Sequence, residues 1–290
     1  MFCLLLNLYI INKYIDMEPF LIENAGNTCY IDSLLMGLFY DPSHLDDLLN
    51  KNLKNTNALS IYLQEYIKEK FVNLVRNNKS VVFDDIEMIR TICFQMGWRQ
   101  NTLNNESPKD NETNTSQSFK DDEYMNQQDV NEFYTFLMEI FENEQIVISR
   151  NIISEESADK MDMEKEEIIP FIPLALPEDQ TTITVKNLLH NWLYDNISEL
   201  KRKDNTKEGN QEKMVNELNT YMITNLPYLL CLAINRFNNQ GIRIETDVII
   251  QKKISPYNKD LINTNKWDFH AAICHKGLTN KSGHYYTLWA

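Results

Sequence analysis

Ile22-Glu-Asn-Ala-Gly-Asn-Thr-Cys-Tyr-Ile-Asp-Ser-Leu-Leu-Met-Gly-Leu-Phe-Tyr40 divides into two halves. Asn24–Thr28 is small and polar, with a glycine that admits dihedrals closed to other residues. From Cys29 onward the pattern changes: Ile31, Leu34, Leu35 and Leu38 recur at i, i+3, i+4 and i+7, one face of an amphipathic helix. Thr28 stands where an N-cap is needed. Cys29 therefore falls in the first helical turn, where free N–H groups and the positive end of the dipole favour a thiolate. A thiolate is a strong nucleophile. The competing reading is a small buried hydrophobe, which most free cysteines are. The polar, Gly-bearing loop immediately before the helix argues for the nucleophile.

The remaining residues bound what such a nucleophile can serve. The chain has 290 residues, 43% of them hydrophobic and 24% charged, ordinary values for a globular protein with a substantial core. A net charge of −14 argues against nucleic acid and anionic membrane as partners and favours a basic partner surface. The five cysteines, at 3, 29, 93, 231 and 274, contain no Cys-x-x-Cys pair. That spacing fits a reducing, intracellular compartment, cytoplasmic or nuclear, without a disulfide framework or zinc ribbon. Met1–Ile11 is too short to span a bilayer and lacks the marks of a signal peptide. It reads as a packing strand or helix, or as an artefact preceding a start at Met17.

Along the chain, helices come first and strands later. Leu59, Leu63, Ile67, Phe71, Leu74 and Val75 make one helix face. Asp84 and Glu87 have capping-box spacing before Ile86, Ile89, Cys93 and Met96, and Trp98 closes that segment. Asn101–Glu123 reads as a polar, exposed insertion. Val130, Phe133, Leu137, Ile140 and Phe141 mark another helix. Ile146–Ile153 is a strand, Ser154–Glu167 a polar loop, and Ile168–Leu176 sets prolines among apolar residues as an edge strand does. Val185, Leu188, Leu189, Trp192 and Leu193 form a short helix, and Glu199–Lys213 a charged connector. Strands are expected over Tyr228–Phe237, Ile242–Ile254, Trp267–His275 and from His284. This layout is α+β with packed subdomains, not a βαβ array.

A cysteine nucleophile needs a base, and five histidines compete: 44, 190, 270, 275 and 284. His190 lies in an amphipathic helix and reads as a surface or core-edge residue. His270 and His275 point to opposite faces of one strand. His284 follows the turn Lys281-Ser282-Gly283 and opens a strand, the rigid, accessible edge where catalytic groups concentrate. It ranks first on these grounds, with His275 second.

Four stretches together resemble the ubiquitin-specific proteases, the papain-like deubiquitinases. Asn24–Leu35 resembles their Cys box, and Gln127-Gln128-Asp129-Val130-Asn131-Glu132-Phe133 their Gln-Gln-Asp-x-x-Glu-Phe segment. Leu226-Pro227-Tyr228-Leu229-Leu230, running to Asn235-Arg236-Phe237, resembles their Leu-Pro-x-x-Leu strand. Ala272–Gly277 with Gly283-His284-Tyr285 resembles their His box. The resemblance implies a papain-like α+β catalytic domain over residues 1–290: a helical thumb over about 17–143, short fingers over about 144–225 and a mostly antiparallel β palm over about 226–290. It implies Cys29 as nucleophile, His284 as general base, Asn24 as oxyanion donor, and Gln127, Gln128, Asp129 and Tyr285 as substrate-binding residues. The implied partner is ubiquitin or a ubiquitinated protein, met by a monomer, and the implied reaction is hydrolysis after ubiquitin's C-terminal Gly.

The chain also departs from that pattern. The paired cysteines that bind zinc in many members' fingers are missing, so neither metal nor cofactor is expected. Asp32 stands where an Asn is usual, and Asn235 where a basic residue is. The family's imidazole-orienting Asp or Asn lies beyond the His box, whereas this sequence stops at Ala290, six positions after His284. Two alternatives to an active deubiquitinase follow: a catalytically impaired ubiquitin-binding module, and a papain-like peptidase for another ubiquitin-like tag.

Overall fold

The computed structural model describes residues 2–7, 20–54, 57–98, 128–154, 163–203, 212–225, 227–238, 240–255, 267–279 and 282–289. The polar insertion at 101–123 and Gln127 lie outside them. The chain forms two compact units. One comprises Met1–Lys13, Glu144–Asn280 and Leu288–Ala290; the other comprises Tyr14–Asn143 and Lys281–Thr287.

The second unit is helical and is built on α1 (Cys29–Phe39). Ile31, Leu34, Leu35 and Leu38 are all fully buried, as their spacing requires. The helix is not amphipathic, however: Tyr30, Ser33, Met36, Gly37 and Phe39 are buried too, and only Asp32 keeps partial exposure. A helix apolar all round is a central core helix. Its C-terminal carbonyls, which have no intrahelical partner, receive a cation: Arg76 Nε donates to Phe39 O at 2.8 Å and Tyr40 O at 3.1 Å. A short helix α2 (Asp47–Asn50) leads to α3 (Ala58–Ile67), a π-helical turn (Lys68–Val72) and α4 (Asn73–Arg76). The π turn has a cause in the sequence. Leu59, Leu63, Ile67, Phe71 and Val75 recur every four residues, and each such step overshoots an α-helical turn by about 40°. The wider turn brings the stripe back into phase, and Leu63, Ile67, Phe71 and Val75 are fully buried.

Helix α5 (Phe83–Gln95) buries Ile86, Ile89 and Cys93. The capping box expected from Asp84 and Glu87 is not formed. The helix starts earlier, Val82 is its N-cap without a side-chain bond, and the cap comes from outside: Glu23 Oε2 accepts from Phe83 N at 2.8 Å. Helix α6 (Val130–Ile140) packs on α1, with the Tyr30 and Phe133 rings edge-on at 5.1 Å and Trp98 against Phe133 at 5.3 Å.

The first unit holds the sheets. The larger one runs β10 (Lys253–Ile254), β11 (Trp267–Thr279), β1 (Phe2–Asn7), β8 (Leu229–Asn235) and β4 (Ile172–Ala175); β12 (Ser282–Trp289) follows β11 in the chain, with residues 282–287 in the helical unit. Of the forms expected for the N-terminal apolar run, the structure takes the packing strand: β1 lies between β8 and β11, antiparallel to both. The Pro-bearing strand β4 is at the edge, as a strand short of donors must be. A β-bulge in β11 leaves His270 between the residues paired to Leu5 and Leu6. Helix α7 (Val185–Tyr194) buries Val185, Leu188, Leu189 and Leu193 in the core of this unit and is capped by Thr184.

Three expectations are overturned here. The polar loop at 154–167 contains β3 (Met163–Ile169), and the charged connector at 199–213 is instead the facing ends of β6 (Asn196–Lys203) and β7 (Glu212–Ile223). With β2 (Ile146–Ser154) these make a four-stranded sheet, ordered β3-β2-β7-β6. Charged edge strands are how a sheet avoids pairing with another chain, and they carry little of the alternation that marks a half-buried strand. The long strand expected over 242–254 is only β9 (Asp247–Ile249), paired with β5 (Thr182–Thr184), and β10.

Candidate active site

The loop before Cys29 is built by its own hydrogen bonds. Gly26 and Asn27 follow one another in the left-handed region, at φ 72° and 56°. Glycine and asparagine are the residues that tolerate it. This double turn folds the loop onto Thr28. Asn24 Oδ1 accepts from Thr28 N and from Thr28 Oγ1, both at 3.2 Å, and Ala25 N donates to Thr28 Oγ1 at 3.0 Å. Thr28 is thus the N-cap by position only; its side chain faces back into the loop and does not cap the helix. Because a backbone N–H can only donate, the Asn24 atom facing Thr28 N is the oxygen. Its Nδ2 makes no hydrogen bond among the described residues, and Asn24 is exposed.

Arg90 clamps the loop from outside. This guanidinium, 3% exposed, donates through Nη1 to Gly26 O at 2.7 Å and through Nη2 to Ala25 O at 2.8 Å, and it pairs with Glu87. Sequence reasoning missed it. The available signal was an arginine on the same helix face as Ile86 and Cys93. On the other side of the loop, Ile22 bridges Val81 in parallel, with Glu23 N donating to Val81 O at 3.0 Å.

Cys29, 4% exposed, opens α1 beneath this loop. His284 is exposed near the start of β12 and belongs to the same compact unit. Thr287 Oγ1, three residues beyond His284, donates to Ser33 O at 2.7 Å, four residues beyond Cys29. The strand bearing His284 is therefore fastened to the helix bearing Cys29. Among the described residues His284 itself makes no hydrogen bond or ion pair. Tyr285 beside it is 4% exposed. The other histidines fall elsewhere. His44 opens a 3-10 turn, His190 is exposed and 3.7 Å from Asp195, and His270 and His275 are on β11 in the other unit.

At the start of α6, Gln128 is 7% exposed, and Asp129 is the N-cap, its Oδ1 accepting from Asn131 N at 2.7 Å and Glu132 N at 3.4 Å. Its Oδ2 has no hydrogen bond among the described residues. Burial pushes the Asp129 carboxyl above the usual carboxylate range, and burial together with Asp129's charge does the same to Glu132. Two desolvated carboxylates in one turn are poised for a cation, which would offset that cost. Asp32, on the first turn of α1, is pushed up to about 7 by burial, against the lowering effects of the Thr28 hydroxyl and Arg90. Among the described residues no three His, Cys, Asp or Glu side chains converge as a metal site requires.

The raised Asp32 has a measurable consequence. A carboxyl whose folded pKa exceeds its unfolded value stabilises the fold while protonated, and that contribution is lost as pH rises toward about 7. Asp32→Asn cannot ionise, so its melting temperature relative to the wild type should climb between pH 4 and 7 and level off above. Thermal melts across that range check this, and a difference independent of pH would count against it.

With this geometry in hand, comparison with known proteins gives a consistent result. The family described as ubiquitin carboxyl-terminal hydrolase matches residues 21–290. No curated protein matches the chain. Among solved structures, the SAGA Ubp8/Sgf11/Sus1/Sgf73 DUB module bound to ubiquitin aldehyde is similar, with TM-score 0.58, 14% identity, and coverage of 94% of this chain and 62% of that one. The same module with a cysteine-to-alanine substitution in Ubp8, bound to monoubiquitin, gives TM-score 0.62 at 14% identity, covering 94% and 61%. The chain thus spans about three fifths of the length of those it resembles.

Proposed function

This chain belongs to the ubiquitin carboxyl-terminal hydrolase family, and we propose that it is a cysteine-type deubiquitinase that hydrolyses the bond after ubiquitin's C-terminal Gly. The observation that carries the reading is the single unit holding Asn24, Cys29 and His284, with the Thr287–Ser33 bond fastening strand to helix. The helical unit is the thumb, and the sheets of the other unit supply fingers and palm.

His284 takes the Cys29 proton, and the thiolate attacks the carbonyl carbon of the scissile bond. The carbonyl π pair moves to oxygen, and Asn24 Nδ2, uncommitted in the loop, donates to the resulting oxyanion. Such a donor is worth roughly 3–4 kcal/mol in the transition state. Collapse breaks the C–N bond, and the leaving amine takes the proton from the His284 imidazolium. Water, deprotonated by His284, attacks the thioester and releases the ubiquitin carboxylate, returning Cys29 as thiolate. Gln128, Asp129 and Tyr285 receive a basic C-terminal tail, and Gln127, outside the described residues, is assigned to the same role by the sequence. The desolvated Asp129 and Glu132 supply the charge complement for it. The four buried free cysteines fit an intracellular site of action, and the protein acts as a monomer without nucleic acid.

The test is a panel of fluorogenic amides of ubiquitin and of other ubiquitin-like tags. Release from the ubiquitin conjugate is expected, and preference for another tag would overturn the substrate assignment. Capture of ubiquitin without any turnover would favour the binding module. Within the same assay, Thr287→Val removes the bond to Ser33 and should lower kcat about tenfold with KM little changed, because it loosens the base and not the tail site. An equal loss in a variant altered at exposed Tyr286 would show that the effect is not specific to that bond.

A further inference from the structure

Thr28 Oγ1 stands between two oxygens with one hydrogen to give. It already accepts from Ala25 N. Its own hydrogen faces Asn24 Oδ1 at 3.2 Å and Asp32 Oδ2 at 3.4 Å. Both cannot have it. Asp32 Oδ1 is sealed from solvent with no hydrogen-bond partner, so Oδ2 is this carboxyl's one polar contact among the described residues. We propose that Asp32 is a positioning residue: through the Thr28 hydroxyl, its protonation state sets the orientation of the Asn24 carboxamide.

The two states differ in direction. A neutral Asp32 donates from Oδ2 into the remaining lone pair of Thr28 Oγ1. The Thr28 hydrogen then goes to Asn24 Oδ1, which is held by two bonds, from the Thr28 hydroxyl and from Thr28 N. Donation into an amide oxygen also makes that amide's N–H a better donor. An ionised Asp32 only accepts, and it accepts more strongly than a neutral amide. It draws the Thr28 hydrogen to itself and leaves Asn24 on Thr28 N alone. The groups bearing on this equilibrium are few. Arg90 on α5 favours the ionised form, and Cys29 and Tyr30 precede Asp32 on α1. Asp129 and Glu132 are the carboxylates at the start of the packed helix α6. Burial holds the carboxyl neutral up to near neutral pH, which places the change within a working range.

The proposal rests on the reading of Asn24 as oxyanion donor only for its effect on rate; the wiring is tested without turnover. In the full chain, the Asn24 Nδ2 proton resonances are followed by NMR against pH. They should shift with the titration of the Asp32 carboxyl in the wild type and lose that step in Asp32→Asn. Asn at this position donates permanently and mimics the neutral state. In the kinetic arm, Asp32→Asn should match wild-type kcat at pH 5.5 and exceed it about threefold to tenfold at pH 8.5, with KM unchanged. In a Thr28→Val background, Asp32→Asn should change neither readout, whereas Thr28→Ser should retain both. Asn24 resonances indifferent to Asp32, or an Asp32→Asn effect that survives Thr28→Val, would overturn the proposal. A wired Asn24 in a chain without turnover would support it and overturn the catalytic reading instead.

Discussion

Cys29→Ala is expected to bring turnover of a ubiquitin amide below detection, a loss on the order of 10⁵–10⁶, while ubiquitin still binds. No other group in the proposed site can form the acyl intermediate, and removal of a nucleophile forfeits what its base contributes as well. The fold should survive, because the change removes one sulfur from a buried first turn whose neighbours Tyr30, Ile31 and Leu34 remain. Labelling by a ubiquitin C-terminal electrophile, followed by intact mass, is the measurement. A covalent adduct persisting in Cys29→Ala would remove Cys29 from the mechanism. Melting curves and ubiquitin titrations of the same variant separate loss of chemistry from loss of structure.

Arg90→Met is the second large effect, and it acts on stability and rate together. The guanidinium is the donor to two loop carbonyls, Ala25 O and Gly26 O, in a buried position. Hydrogen bonds from a charged donor are worth about 1.5–3 kcal/mol each, and orphaned carbonyls keep their desolvation cost. A net loss of about 3 kcal/mol would lower the melting temperature by about 6–12 °C for a domain of this size. Methionine fills most of the volume, so packing is not the main term. The loop also carries Asn24, and a donor displaced by even 1 Å costs about 10²-fold in kcat. Arg90→Lys keeps the charge but not the fork, so it should fall between. Melting curves with kcat measured well below both transitions decide the matter. A lowered melt with unchanged kcat would confine Arg90 to structure.

The residues of α1 are legible because several signals agree. The periodicity of Ile31, Leu34, Leu35 and Leu38 gave the helix, and the break at Thr28 gave its start. The α+β class followed from the order of elements. What the sequence concealed was polar. Arg90 and Thr28 act through hydrogen bonds to the loop, and a hydrogen bond between residues 64 apart, as between Arg90 and Gly26, leaves no local pattern. The capping box at Asp84 and Glu87 had the right spacing, but Glu23 supplied the cap across 60 residues. Strands β6 and β7 were hidden for another reason. Their charged stretches read in sequence as a strand and as a loop equally well, and only pairing distinguishes the two.

Strand β1 carries a consequence for how the protein is made. Residues 2–7 pair with 229–235 on one side and 268–274 on the other, so this interior strand is synthesised long before either neighbour. At about 5–20 residues per second, roughly 10–50 s of synthesis separate it from both neighbours. Through that interval Phe2-Cys-Leu-Leu-Leu is an apolar strand with two open edges. The large sheet therefore closes only after translation of β11, through contacts of very long range that fold slowly. Helices α1 to α6 make none of those strand pairings and are free to condense first, so the helix bearing Cys29 can be set before His284 has been synthesised.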